Sequence, residues 1–292
     1  MTHAERTALT AVVSSVLIGV GVAWAGSQGG TAVGQWPVFA LCGILAFGLN
    51  WLAFVPAALW RTERYYDATG SLTYLSVVAV ALLGADRLAP HALLLGAMVS
   101  VWAIRLGSFL FARVRRDGAD GRFDEIKSNP LRFFMVWTLQ GLWVFLTVSC
   151  ALAAMSSGQP ELLGVVEGAG GLIWAMGLTI EVVADRQKAR FLADPENRGH
   201  FIQSGLWAWS RHPNYAGEIT LWCGVAVLAL PHLSGWQHVT LISPVFVYML
   251  LTRVSGIPLL ESRATQKWGD RADYRAYRAR TPILFPRPPW TV

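Results

Sequence analysis

Charge is what this chain has little of. Only 14% of its 292 residues are Asp, Glu, Lys or Arg, against 54% hydrophobic. A soluble domain usually carries about 25% charged residues, so the balance excludes a pair of soluble domains and describes a polytopic membrane protein. Cysteine is scarce too. Cys42, Cys150 and Cys223 lie in apolar segments with no C-x-x-C spacing, which indicates neither a disulfide framework nor a metal site and leaves core packing. No G-x-G-x-x-G follows a strand, so a Rossmann domain is excluded as a dinucleotide site. Internal repeats and low-complexity tracts are absent, and without a nucleic-acid-binding motif no nucleic-acid partner is expected. A cleavable signal is also missing, because the first apolar run is as long as a full span and is followed by others. The N-terminus is therefore expected to be retained.

What is present is a series of apolar runs near 8–26, 38–60, 71–85, 91–111, 132–154, 163–183, 216–230 and 238–252. They predict an all-α membrane helix bundle of about eight transmembrane helices, a single integral membrane domain over 1–292. A bilayer core of ~30 Å takes about 20 helical residues, so the third and seventh runs are short, and seven spans is the alternative. Positive charge favours the even number. Of 24 Lys and Arg, 22 fall before residue 8 or within 60–70, 112–132, 184–215 and 253–292, while the alternate loops carry only Arg87. By the positive-inside rule both termini are cytoplasmic, in an inner or plasma membrane. The net charge of +6 then sits in cytoplasmic loops, where it suits anionic lipid headgroups or an anionic cofactor.

Those loops carry further signals. Residues 113–132 mix charges with glycines and read as a folded loop. Trp207 and Trp209 read as interfacial, and residues 261–280 as one amphipathic surface helix ended by Pro282, Pro286, Pro288 and Pro289.

One stretch organises the rest, from Trp209 to Trp222, where a basic aromatic loop runs into an apolar helix. Pro213 reads as the first helical residue, since its fixed φ and missing N–H cost nothing there. Asn214 and Glu218, four apart, share a face of its first turns, and Arg211 and His212 sit at its positive end. That is an anion-binding arrangement beside a carboxylate; the bland alternative is a membrane helix with an ordinary interfacial cap.

Ionisable groups in spans cost at least ~2.5 kcal/mol on insertion scales, so each is a default site hypothesis. Arg105 either belongs to a site or snorkels to lipid phosphates. Glu181 and Asp185 share a face of the sixth helix and need a cation or a ligand hydroxyl between them, or form a structural ion pair. Glu218 could pair with Arg211 across the cap, and Asn50 could bond a backbone carbonyl. Residues 63–71 gather Glu63, Tyr66, Asp67 and Ser71 in one stretch. A solvated turn capped by Ser71 is the plain reading; beside an anion site the stretch becomes a candidate for acid chemistry, because a phenol or protonated carboxyl can donate to a carbonyl oxygen as charge develops.

These residues resemble the membrane-embedded steroid 5α-reductases and their bacterial relatives. The likeness covers roughly residues 181–292, through Asp185, Gly205-Leu206, Asn214-Tyr215-x-Gly217-Glu218 with Trp222, and Asp273-Tyr274 with Pro282-Ile283-Leu284-Phe285-Pro286. It is weaker over 60–125, where Asp67, Trp102 and Arg105 fall near the family's substrate-binding Glu, Tyr and following Arg. The resemblance implies NADPH-dependent reduction of an activated carbon–carbon double bond in an apolar enone, such as a steroid, sterol, isoprenoid or related lipid. It also implies cofactor contacts from Asp185, Asn214, Tyr215, Glu218 and Tyr274, with Arg105 nearby and Arg263 where the family has a histidine. Trp102 stands in place of the family's phenolic donor, so the proton donor is sought at Asp67, with Tyr66 as partner and Glu63 one turn earlier. NADPH needs several cations for its phosphates, and Arg113, Arg115, Arg116, Lys188, Arg190, Arg211 and Arg263 are all expected on the cytoplasmic side.

Arg211-His212-Pro213-x-Tyr215-x-Gly217, the later Glu261 and a Tyr-x-x-Tyr before a Pro-rich end are also similar to S-adenosylmethionine-dependent membrane methyltransferases of the isoprenylcysteine carboxyl type. Asp185, Asn214 and the 63–71 cluster are features that pattern does not need. A third alternative is a non-enzymatic lipid or sterol binder, which would bind no dinucleotide.

Overall fold

The structure, a computed structural model, describes residues 1–117, 123, 126–157 and 163–288, without the side chains of 111–117. The side chains of Arg113, Arg115 and Arg116 therefore lie outside what is described, as does Pro289. The chain is all-α: it is 78% helical, and its sheet is a two-stranded hairpin, β1 (Ala32–Val33) on β2 (Trp36–Pro37). The helices are α1 (His3–Gly26), α2 (Val38–Leu59), α3 (Tyr66–Leu83), α4 (Pro90–Asp117), α5 (Pro130–Met155), α6 (Val165–Ala193), α7 (Pro213–Ala229), α8 (Ile242–Met249), α9 (Ile257–Trp268) and α10 (Ala272–Arg280).

Seven segments among the described residues are long and apolar enough to cross a membrane: α1 to α6, with α4 counted over Pro90–Leu110, and the stretch Gly235–Trp268. The 17-residue α7 falls short, since at 1.5 Å per residue it reaches roughly 26 Å. The expected helix over 238–252 is also not one regular helix. It runs as a 3-10 segment (Gly235–Leu241), then α8, then a π-helical turn (Leu250–Val254). Ser255-Gly256 ends it just before Pro258, which has no N–H to continue the ladder.

The polar stretch 63–71 is mostly helix. α3 starts at Tyr66, so Ser71 lies inside the helix and does not cap it, and Asp67 sits in the first turn, where the helix dipole favours an anion. Hydropathy located the lipid-buried part of α3; the dipole and local geometry set its start. In the same way α4 continues to Asp117 through part of the expected loop. The expected helix over 261–280 breaks around Gly269 to Arg271 into α9 and α10.

The chain divides into two compact units, Met1–Glu167 with Ala226–Ser243, and Gly168–Val225 with Pro244–Val292. In the first, α5 is the axis: 89% of its apolar window is buried, against 22–39% in the other candidate spans. Helices α1 to α4 pack on it, so its lipid-like composition is spent on protein contacts. Asn50 on α2 donates to the Ala46 carbonyl at 2.8 Å, the local satisfaction expected of an amide in this setting.

In the second unit, α6 and α7 meet along glycines. A Cβ at Gly217 would lie 2.6 Å from the Glu181 nitrogen, one at Gly177 2.4 Å from the Leu221 nitrogen, and one at Gly224 2.5 Å from the Trp174 nitrogen. Lipid tails give helices no hydrophobic reason to associate, so close backbone approach and van der Waals packing carry this seam. Gly217→Ala should therefore destabilise the protein by about 1 to 3 kcal/mol, because backbone cannot step aside as a side chain can. Gly168→Ala, which meets nothing within 4 Å, should be neutral or gain up to ~1 kcal/mol from helix propensity. Thermal unfolding of both variants in one detergent checks the pair; equal melting temperatures would remove the seam as a stabilising contact.

Candidate functional site

Pro213 opens α7, and the loop ahead of it presents Arg211 and His212 at the positive end of the helix dipole. Both side chains turn to one carboxylate on α9. The Arg211 guanidinium is ion-paired with Glu261, and His212 Nε2 lies 3.0 Å from the other carboxylate oxygen. Arg278 on α10 stands 3.7 Å from Glu261. Two oxygens thus serve three basic groups, and the Arg211 Nε is buried with no hydrogen-bond partner among the described residues.

This cluster forms one side of a cavity of about 260 Å³. Aromatic walls come from Phe201, Trp207, Trp268, Tyr274 and Tyr277. Phe201, Tyr274 and Tyr277 form a buried set against Ala264 and Trp268, with the Phe201 and Tyr274 rings 5.0 Å apart. Trp207, expected at an interface, is buried, and its indole N–H donates to the Ala184 carbonyl at 3.0 Å. The Tyr277 hydroxyl donates to the Trp207 carbonyl at 2.8 Å; burial holds this phenol above its usual range, so it keeps its proton. Lys188 on α6 places its ammonium 4.9 Å from the Trp207 ring centroid.

The lining is strongly one-signed. Lys188, Arg211, Arg263 and Lys267 reach it, and Glu261 is the sole carboxylate among the residues that line it. Burial lowers the His212 imidazole below its ordinary range, partly offset by its bond to Glu261 and by that carboxylate's charge. The arrangement is a hollow with aromatic faces and surplus positive charge, suited to an anionic ligand that also carries a flat ring.

Of the residues expected to hold a cofactor, Lys188, Arg211, His212, Arg263 and Tyr274 line this one cavity. Tyr215 does not, but it stacks on His212 with ring centroids 5.7 Å apart. Asp185, Asn214 and Glu218 are half-buried on α6 and α7 of the same unit without lining it. Arg105 belongs to the first unit, on α4, with its guanidinium 5.7 Å from the Phe109 ring centroid.

The residues considered for acid chemistry also belong to the first unit. Glu63 is buried and ion-paired with Lys127 at 2.7 Å. The Tyr66 hydroxyl donates to the Val136 carbonyl at 3.2 Å, and its ring packs on Phe123 and Trp137. Asp67 is half-buried in the first turn of α3. Trp102 is buried with its ring edge-on to Tyr74, centroids 5.1 Å apart.

Sequence reasoning missed the central carboxylate and most of the aromatic wall. Glu261 was visible only through the methyltransferase-like pattern. Tyr277 was visible only as the second Tyr of the Tyr-x-x-Tyr in that same pattern, Trp207 read as interfacial, and Phe201 and Trp268 carried no signal beyond being aromatic.

Residues 53–281 match the DUF1295 family, described as a protein family of unknown function. An uncharacterized protein of Schizosaccharomyces pombe is 23% identical over 235 residues, covering 70% of this chain and 66% of that protein. A probable O-methyltransferase, ustE, of Ustilaginoidea virens is 33% identical over 92 residues, 32% of this chain and 32% of that protein. The chain thus spans just under two thirds of the first relative's length and about a third of the second's. No solved structure matches.

The His212 environment makes the stability of this unit depend on pH. Because its folded pKa lies below the ordinary 6.5, the unfolded chain takes up the proton first. Stability is then undiminished above about 6.5 and falls as pH drops through the folded value. Thermal unfolding between pH 7.5 and 5 should show a decline that His212→Gln makes shallower; an unaltered slope in that variant would assign the decline to other groups.

Proposed function

This chain belongs to the DUF1295 family of steroid 5α-reductase-like membrane proteins, and from that premise we propose that it is an NADPH-dependent oxidoreductase. Its substrate is an apolar enone, a steroid, sterol, isoprenoid or related lipid, whose activated carbon–carbon double bond it reduces. The observation that carries this reading is the charge of the cavity: Lys188, Arg211, Arg263 and Lys267 against the single carboxylate Glu261. A 2′-phosphate and a pyrophosphate require such a surplus of cations, and the aromatic wall gives an adenine ring a surface to stack on. The buried Arg211 Nε is a donor still available to a phosphate oxygen. At about 260 Å³ the cavity takes one end of a dinucleotide.

NADPH would supply the hydride that adds to the β-carbon of the enone. The protein must supply a donor for the charge developing on the carbonyl oxygen and, in the end, a proton for the α-carbon. In this reading Asp67, in the first turn of α3, is the acid, with Tyr66 as its partner and Glu63 one helical turn earlier. On the same reading both termini are cytoplasmic, which requires the short α7 to complete a crossing.

A second reading has its own support in the match to a probable O-methyltransferase. In it the same cavity takes S-adenosylmethionine, with Glu261 facing the ligand's cationic groups. Titrating the detergent-purified protein with NADPH and with S-adenosylmethionine separates the two. NADPH binding should weaken by about 2 to 5 kcal/mol in Arg211→Ala, the range for truncating one partner of a buried charged pair. Asp67→Asn should leave NADPH binding intact while lowering kcat on a reducible enone by roughly 10² or more. Binding of S-adenosylmethionine alone would transfer the function to the methyltransferase reading, and binding of neither would leave a lipid or sterol binder.

A further inference from the structure

The loop that carries Arg211 and His212 is held on its other flank by the chain after α10. The Arg211 amide donates to the Pro282 carbonyl at 2.9 Å, and the Arg287 amide donates to the Trp209 carbonyl at 3.0 Å. Between these two rungs lies Ser210, fully buried, whose hydroxyl donates to the Leu284 carbonyl at 2.6 Å and accepts from the His212 amide at 3.1 Å. One hydroxyl thus uses its proton on the tail and a lone pair on a site residue. Leu284 and Thr281 are buried as well, and Pro282, Pro286 and Pro288 stiffen the tail by fixing φ at their own positions.

We propose that Ser210 is a positioning residue and that residues 281–288 act as a strap, setting through its hydroxyl where Arg211 and His212 stand against Glu261 and the ligand. The proposal rests on the reading of the adjoining cavity as a nucleotide site. Its physical basis is the cost of the alternative. Without the hydroxyl, the His212 amide and the Leu284 carbonyl are left in a dry interior with no replacement nearby, and the loop must open to reach water. An opened loop moves the Arg211 and His212 side chains, because four consecutive residues, 209 to 212, carry both the backbone rungs and the site groups. Nothing in the strap touches the cavity itself: none of residues 281–288 lines it. Apart from its continuity with α10 at Thr281, its hydrogen bonds reach the site through the loop.

Two variants interrupt the coupling from opposite sides. Ser210→Ala removes the relay. A chain ending after Thr281 removes the carbonyls of Pro282 and Leu284 and the amide of Arg287, and Arg287→Pro removes that last donor alone, in case the shortened chain fails to fold. Hydrogen–deuterium exchange over residues 207–216 reads the loop without any ligand. The Arg211 and His212 amides should exchange at least about tenfold faster in Ser210→Ala and in the shortened chain. NADPH titration reads the site. Affinity should fall about tenfold in Ser210→Ala and at least as much in the shortened chain, and the two combined should fall by less than the product of the separate losses, since both remove the Ser210–Leu284 bond. The pH midpoint of NADPH affinity should also move upward in Ser210→Ala as water reaches His212, a change that general loss of stability would not produce. Unchanged exchange at Arg211 and His212 overturns the coupling whatever the ligand. Faster exchange with wild-type NADPH affinity overturns the positioning role. A wild-type protein that binds no NADPH removes the functional reading, and the exchange rates then decide the coupling by themselves.

Discussion

A carboxylate half-withdrawn from water must be matched by cations, and the second unit is arranged around that requirement at Glu261. Arg211 answers it from the loop before α7 and Arg278 from α10, while His212, which burial holds below its ordinary pKa, adds a hydrogen bond to the other carboxylate oxygen. These groups come from three separate segments, so the ion cluster fixes the loop, α9 and α10 with respect to one another in a way that apolar contacts, which are non-directional, would not. A desolvated pair of this kind is weak evidence for net stability but strong evidence for a specified geometry, because removing one partner leaves the other charged and buried. The surrounding hydrogen bonds agree with that role. Tyr277 and Trp207 spend their polar groups on backbone carbonyls of the same unit, which holds the aromatic wall in place.

The fold was legible where one residue type had a single structural use. Pro213 marked the start of α7, the apolar runs marked α2 and α5 closely and the remaining spans more loosely, and the absent glycine fingerprint pointed away from a Rossmann sheet. What escaped depended on pairing between distant segments. Gly177, Gly217 and Gly224 look like ordinary members of apolar runs, and only the register of α6 on α7 shows that any side chain there would strike backbone. The stretch 238–252 has the composition of a span, but it runs through 3-10, α and π pieces that composition does not distinguish.

The site was legible in part for the same reason. Lys188, Arg211, His212, Arg263 and Tyr274 could be picked out as cations or as motif members, and they meet at one cavity. Glu261 lies 50 residues from Arg211, in a segment whose arginines suggested a membrane surface, so its carboxylate read as one charge among many. Asn214 and Glu218 share a helix face as their spacing requires, yet that face is not the one turned to the cavity. Periodicity gives the angle between two side chains on a helix and leaves the helix free to rotate about its axis. Here the α6 contacts of Gly217, Leu221 and Gly224 fix that rotation.

Charge also bears on which ligand the cavity prefers, independently of family. At an effective dielectric of about 20, two unit charges 6 Å apart interact by roughly 3 kcal/mol. A sulfonium is repelled by any nearby cation that no carboxylate neutralises, less so where that cation is exposed and screened by solvent, and Glu261 already faces Arg211 and Arg278. Arg263 and Lys267 also line the cavity. A phosphate reverses the sign of every one of these terms. For a cationic cofactor to win, either the exposed Arg263 and Lys267 must swing away into solvent or Glu261 must exchange its present partners for the ligand, which would break the contacts that hold the loop. An anionic nucleotide asks for neither rearrangement, and this is the physical ground on which the reductase reading stands ahead of the methyltransferase one.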